Sequence, residues 1–411
     1  MAKKQSRKDS KGRVLYKGEY ERLDGRYVFQ YLDVNGKRQS KYANDLPQLR
    51  EYEKEICRDA YDGIDTHIGH SITLNAAFDR YMKLKLDIKS TTRGNYMYMY
   101  DHFVRPTFGN RKIGTIKYSD VKEFYYSILQ NDVMKASTLD SIHTLLHPTF
   151  SMAVRDGYIR LNPTAGVMAE IKKSKAWDIP KRHALTEEQQ LAFMNYMANN
   201  EQYKHWYNLF TVLLGTGCRV GELIGLRWED VDFEDNMIDI NHNMVYYRKE
   251  NGECGWSVNT PKTKAGIRKI PMLDVVRKAL DDEYEWQLEQ GFSDYSLDGY
   301  TGFIFTNRFG KLNRPQTLNR AIKRIYTAYN AEEKEAARRE KRKAVLIPHF
   351  SCHHLRHTFC ARFCENEVNM KLVQEVMGHS DIATTMDIYA ELSNKKKKEA
   401  FQLLEGVIKV V

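Results

Sequence analysis

No run in this 411-residue chain approaches the roughly 18 apolar residues that a membrane helix needs, so a spanning protein is not expected. Cysteine is sparse as well: six in the whole chain do not make a disulfide framework. No apolar stretch near the N-terminus reads as a signal peptide, and together these gaps point to a reduced, cytoplasmic protein. A paired-knuckle zinc motif is also missing. Cys352, His353, His354, His357, Cys360 and Cys364 crowd together, but they fall on one predicted helix, where adjacent Cys352 and His353 make closed tetrahedral geometry awkward. Cys360 and Cys364 are read as small buried apolar groups, and neither a metal nor a cofactor is expected.

Positive charge is present and unevenly placed. The formal charge is +10, and residues 1–50 hold 13 Lys and Arg against 6 Asp and Glu, so +7 lies in that segment. The asymmetry favours a nucleic-acid-binding arm over a generally basic surface, with a solvated tail as the plain alternative. At this length two or three domains can each bury a core.

Leu15 to Tyr20, Tyr27 to Leu32 and Arg38 to Tyr42 read as strands. Asp24-Gly25 and Asn35-Gly36 lie between them and favour tight hairpin turns. Asp45, with Gln48 three residues on, then caps a helix whose inner stripe is Leu49, Tyr52, Ile56 and Ala60. Residues 1–68 are thus expected to form a three-stranded sheet backed by one helix. Arg22, Arg26, Lys37, Arg38 and Lys41 would line its exposed face, which could enter a major groove. Charges that guard edge strands against aggregation are the plain alternative.

Residues 72–165 read as helices, with Thr73, Ser90, Ser119 and Ser137 as caps, a break at Phe108-Gly109-Asn110 and a close at Asn162-Pro163. Leu139, Ile142, Leu146, Phe150 and Ala153 give a buried stripe. The alternating Tyr96, Met97, Tyr98, Met99 and Tyr100 invite a base-stacking reading, but aromatics at helical spacing favour packing. Lys172, Lys173, Lys175, Lys181 and Arg182, around Trp177 and Pro180, read as a basic linker over 171–183 running along phosphates. Thr186-Glu187-Glu188-Gln189 matches a capping box and opens a last domain over 184–394. That domain reads as helices, a sheet near Met237 to Ile270, then helices again, with Lys334 to Lys343 a solvated charged face.

The chemistry concentrates in this last domain. On a helix His353, Arg356 and His357 share one face, so an imidazole and a guanidinium can point at one anion. Gly378 would end the next helix in the left-handed conformation and leave His379 on a turn. Ser380 or Asp381 can cap a further short helix that carries Tyr389 on its last turn. Upstream, Arg219 in Thr216-Gly217-Cys218-Arg219-Val220-Gly221-Glu222 would sit at a glycine-flanked helix start, where guanidinium and backbone N–H groups reinforce each other. Singly these signals are weak; Arg219 could be a surface residue with Glu222 as its salt-bridge partner.

Jointly, Arg219, His353-x-x-Arg356, His379 and Tyr389, in that order over about 170 positions, resemble the tyrosine recombinase (phage-type integrase) family. With its basic N-terminal domain the chain looks most like the integrases of conjugative transposons. The resemblance implies a mostly α, multidomain protein with small β-sheets. A β-rich arm-binding domain would be followed by a helical core-binding domain over 72–170 and an α+β catalytic domain. It further implies integration and excision by single-strand cleavage through a 3′-phosphotyrosyl bond, within a homotetramer on double-stranded DNA carrying core-type and arm-type sites. An excisionase and a host DNA-bending protein are the accessory partners it suggests.

A tyrosine hydroxyl, with pKa about 10, is a poor nucleophile unless a base takes its proton or positive charge stabilises the phenolate. Arg219 and Arg356 are planar donors for the nonbridging oxygens, each supplying roughly 3 to 4 kcal/mol in the transition state, enough to make a metal unnecessary. His353 is placed to exchange the tyrosine proton and His379 to donate to a nonbridging oxygen. The family's catalytic lysine occupies a β-hairpin that best matches Lys262 of Thr260-Pro261-Lys262-Thr263-Lys264, with Lys264 as the alternative. His354 departs from the acidic or neutral residue common at its position. A type IB topoisomerase, a phage or chromosome-dimer resolvase and a non-catalytic DNA-binding regulator are the competing functions. At the end of the chain Lys395 to Lys398 precede Phe401, Leu404, Ile408 and Val411 at helical spacing. Such a tail over 395–411 is marginal alone and must pack on its own domain or on a neighbour's.

Overall fold

The structure is a computed structural model that describes every residue except 1–6, 34–35, 131–135, 175–176, 178–182, 250–251, 262–263, 368 and 391–411. The chain forms two compact units, Met1–Pro180 and Lys181–Val411.

The first unit opens with an antiparallel sheet of β1 (Glu19–Glu21), β2 (Tyr27–Leu32) and β3 (Arg38–Ala43), in that order. β1 is shorter than expected because the chain turns at Gly18, whose φ of +94° and approach to the Gln30 carbonyl exclude a side chain. Asp24-Gly25 closes the first hairpin with Gly25 at φ +77°. Asn35 of the second turn lies outside the described residues.

Tyr27, Phe29 and Ala43 face α1 (Leu46–Tyr61), packing against Leu46 and Leu49 with Tyr52 and Ile56 alongside. Asp45 accepts from the Gln48 backbone N–H at 2.8 Å and caps the helix. Ala60, counted in the inner stripe, is exposed, because the last turn of α1 runs past this cluster.

After α2 (Thr66–Ser71), α3 (Leu74–Leu84), α4 (Ser90–Phe103), α5 (Tyr118–Gln130), α6 (Ala136–Arg155) and α7 (Val167–Ile171) enclose a second core. The stripe from Leu139 to Ala153 is fully buried there. Tyr100 is buried and stacked on Phe78, while Tyr96, Met97 and Met99 pack against the same core and only Tyr98 of that run is exposed. Packing therefore accounts for most of the Tyr/Met run. Thr73 caps α3 as expected. Ser90 and Ser119 lie inside their helices instead: Lys89 precedes α4 without a side-chain cap, and Asp120 reaches back to the Lys117 N–H at 2.7 Å. Ser137 is already helical, and the residues before α6 are outside those described.

The second unit begins with α8 (Glu187–Asn199), where Thr186 and Gln189 form the expected capping box. α9 (Tyr207–Thr216) and α10 (Val220–Gly225) follow. β4 (Val231–Asp232), β5 (Met237–Ile240) and a later strand, β8 (Arg268–Pro271), make one sheet; β6 (Asn243–Arg248) and β7 (Cys254–Asn259) make another. The register shows why. Ile240 pairs with Arg268 and Asn243 with Asn259, so the two pairings are separated by Asn241 and His242 on one side and by residues 260–267, of which 262–263 lie outside those described, on the other. α11 (Asp274–Gln290), α12 (Pro315–Glu340), α13 (Cys352–Asn366) and α14 (Met370–Met377) complete the unit, and residues 382–390 are helical.

Candidate active site

The site is built around the C-terminal end of α14. Gly378, at φ +63°, ends that helix in the left-handed conformation predicted for it. A Cβ there would stand 3.0 Å from both the Ala265 carbonyl and Arg268 Nη1, so the position is crowded as well as turned. Three successive carbonyls at this end accept from three arginines. Arg268 Nε donates to Val376 O at 2.7 Å, Arg356 Nη2 to Met377 O at 2.5 Å and Arg219 Nη2 to Gly378 O at 2.9 Å. A helix C-terminus carries partial negative charge and unsatisfied carbonyls, which is why guanidinium groups gather there.

Each arginine is fixed from a second side. Arg219 stands at the N-terminus of α10, and its backbone N–H and Nη1 both donate to Glu222 at 2.8 Å. Its side chain remains 41% exposed, so it holds Glu222 while keeping a face open to an incoming anion. The ion pair with Glu222 and an open face thus coexist in one side chain. Arg356, on α13, is buried and donates through Nη1 to Gly217 O at 2.7 Å. Burial, then the nearby Arg219 charge, pushes its guanidinium down to about 10. Arg268 is buried in β8 and donates to Glu222 from Nη2 at 2.9 Å. Burial raises the Glu222 carboxyl, but Arg268 and then Arg219 more than offset this and hold it below the ordinary value.

His379 follows directly and is buried, with Nδ1 2.9 Å from Thr385 Oγ1. Burial, then the charges of Arg356, Arg219 and Arg268, lower it to about 4, so the ring is neutral at physiological pH. His353 is close enough to add to that effect, from an exposed position one turn before Arg356. Its neighbour His354 completes a capping box at the start of α13: its Nδ1 accepts from the Ser351 N–H at 3.2 Å. That gives the unusual histidine a local structural role.

Of the two possible caps, Asp381 accepts from the Ala383 N–H at 2.9 Å and starts the next helix. On it, Tyr389 lies one turn beyond Thr385 and is half-buried against Cys360, Cys364, Val373, Met377 and Ile388. The two cysteines are fully buried in this apolar cluster. Arg219, Arg356, His379 and His353 are thus gathered at one end of α14, with Tyr389 in the cluster that backs it.

Lys262 lies outside the described residues, and of Lys264 only the backbone is described. The loop they belong to does reach the site, since Gly266 O accepts from Arg268 Nη1 at 3.1 Å and Ala265 O lies beside Gly378. Sequence reasoning missed Arg268. Its one signal was an arginine at an inward position of the alternating strand Arg268-Lys269-Ile270-Pro271.

In the first unit Arg22, Arg26, Lys37, Arg38 and Lys41 are all exposed. Their placement differs: Arg38 pairs with Leu32 on the open face, whereas Lys41 pairs with Phe29 on the helix side and lies over the Tyr52 ring. Arg26 is held by Asp24 at 2.7 Å, and Arg22 lies over the Tyr42 ring. Lys172 pairs with Asp140 at 2.8 Å and lies over Trp177; Lys175 is outside the described residues. No helix among the described residues is long and apolar enough to cross a membrane.

Residues 183–396 match the phage integrase family, residues 3–60 the DNA binding domain of Tn916 integrase, and residues 73–129 the phage integrase N-terminal SAM-like domain. The transposase from transposon Tn916 of Enterococcus faecalis is 30% identical over 401 residues, covering 94% of this chain and 93% of that protein. The transposase from transposon Tn1545 of Streptococcus pneumoniae has the same identity and coverage. The structure of the Tn1549 transposon integrase in complex with a circular intermediate DNA is similar at a TM-score of 0.68 and 26% identity, over 80% of this chain and 100% of that one. The chain therefore belongs to the phage integrase family, as a tyrosine site-specific recombinase of the conjugative-transposon integrase kind.

Proposed function

We propose that Tyr389 is the nucleophile of this recombinase and that Arg219, Arg356, His353, His379 and Lys262 serve it in distinct roles. Tyr389 Oη attacks a DNA phosphorus while His353 accepts its proton, and the 5′ oxygen leaves with a proton from Lys262. The product is a 3′-phosphotyrosyl link; its energy stays in the phosphoester, so the reverse steps rejoin a strand without a nucleotide cofactor. Arg219 and Arg356 meet the charge that builds on the nonbridging oxygens. His379, being neutral, donates from Nε2–H, and the Thr385 hydroxyl donating into Nδ1 would hold that tautomer.

The observation that carries the reading is the convergence of Arg219, Arg356 and His379 on one helix end, two of them fixed by backbone carbonyls. Joining two duplexes requires four strand cleavages, and one nucleophilic tyrosine per chain makes that a homotetramer on DNA. Residues 1–68 would bind arm-type sites and 72–170 core-type sites, with 171–183 as the basic linker and 184–394 as the catalytic domain. An excisionase and a host DNA-bending protein would set direction.

A nicked suicide substrate resolved on a denaturing gel tests the nucleophile. Tyr389→Phe should keep DNA affinity and form no covalent adduct. Adduct at undiminished yield would move the nucleophile elsewhere.

A further inference from the structure

We propose that Arg268 is a positioning residue for strand cleavage: it shares Glu222 with Arg219 and thereby leaves Arg219 extended toward the scissile phosphate. This rests on the phosphate role given to Arg219 above. Both guanidinium groups bind the Glu222 carboxylate, with Arg219 Nη1 at 2.8 Å on Oε1 and Arg268 Nη2 at 2.9 Å on Oε2. Arg268 Nη1 also leans on Oε1 at 3.4 Å, so each carboxylate oxygen is divided between the two arginines. The division is unequal in exposure. The Arg268 side chain is 6% exposed and Glu222 3%, whereas that of Arg219 is 41% exposed. Arg268 is therefore the resident counterion, and Arg219 is free to turn its outer edge to an anion.

Arg268 is also bonded on every side to the parts that must hold still. Nε donates to Val376 O, two residues before Gly378, and Nη1 donates to Gly266 O in the loop that leads into β8. One planar side chain thus spans α10, α14 and that loop, a geometry a lysine's single point charge cannot reproduce. Without it, Arg219 would be the remaining guanidinium hydrogen-bonded to the buried carboxylate. Coulomb attraction in a site of low dielectric would draw that guanidinium inward, away from the phosphate.

The test separates positioning from mere stability. Single-turnover cleavage of a nicked suicide substrate is measured with Arg268→Gln, Arg268→Lys and Arg219→Ala, each at saturating protein, alongside core-site affinity and thermal unfolding. Every measurement is repeated on DNA carrying a methylphosphonate at the scissile position. That neutral group needs no counter-charge on its missing oxygen. On ordinary DNA, Arg268→Gln should cleave about 100-fold slower, the scale of an Å-sized misplacement, with core-site affinity within about threefold, since the arginine side chain is buried in the protein. Arg268→Lys should fall between, and carries the test if Arg268→Gln does not fold. On the methylphosphonate the gap to the native protein should close for both, as it should for Arg219→Ala. A gap for Arg268 variants that is the same on both substrates, or no gap on ordinary DNA, overturns the proposal. A gap that persists for Arg219→Ala itself overturns the phosphate role of Arg219 instead.

Discussion

Glu222→Gln probes the arginine arrangement through stability. Glu222 is buried, and its carboxylate accepts from the Arg219 N–H, Arg219 Nη1 and Arg268 Nη2 at 2.8, 2.8 and 2.9 Å. An amide of the same shape keeps one acceptor oxygen, turns an NH2 group toward donors and leaves the Arg268 guanidinium buried without a counterion. Removing one partner of a buried pair costs about 3 to 5 kcal/mol. At about 2 to 4 °C per kcal/mol for a unit of this size, Tm should fall by roughly 6 to 20 °C. The effect should also depend on pH. Because Glu222 titrates below an ordinary carboxylate, its contribution is fully present above the unfolded value of about 4.3 and is lost as pH falls through the lower folded value. Calorimetry of the full chain should therefore show the whole gap at pH 7 and a narrowing gap below about pH 4. A Tm difference under about 2 °C at pH 7, or one that grows in acid, would refute the reasoning.

Lys262→Ala should slow cleavage, and a substrate with sulfur at the 5′ bridging position should restore it, since a thiolate leaves without an acid; rescue of Lys264→Ala instead would shift the assignment by two residues. A fragment starting near His70 keeps the whole apolar cluster from Leu74 to Ile171 and should cleave core sites while losing arm sites, and footprinting that finds every site protected would reject the arm assignment. Ending the chain at Asn394 should leave core-site binding by single protomers nearly intact while weakening cooperative assembly. Unchanged tetramers by sedimentation on paired sites, with unchanged cleavage, would rule out a tail that joins protomers.

The sequence by itself determined what neighbouring residues decide among themselves. Three- and four-residue spacing put His353, Arg356 and His357 on one stretch of helix, Gly378 fixed where α14 stops, and Asp45, Thr73 and Thr186 placed helix starts, because caps, turns and helical faces are settled within a few residues of chain. Local reasoning failed where several residues could cap alike, as at Ser90 and Ser119, and where strand parity decides the face, as for Lys41. Only the tertiary structure decided the rest. Arg268 meets Val376 O across 108 positions and Arg219 meets Gly378 O across 159, and no local pattern distinguishes an arginine that will be buried on such carbonyls from one that will face water. The pairing of β5 with β8 and of β6 with β7 is nonlocal for the same reason, since register is set by which strands a fold brings side by side.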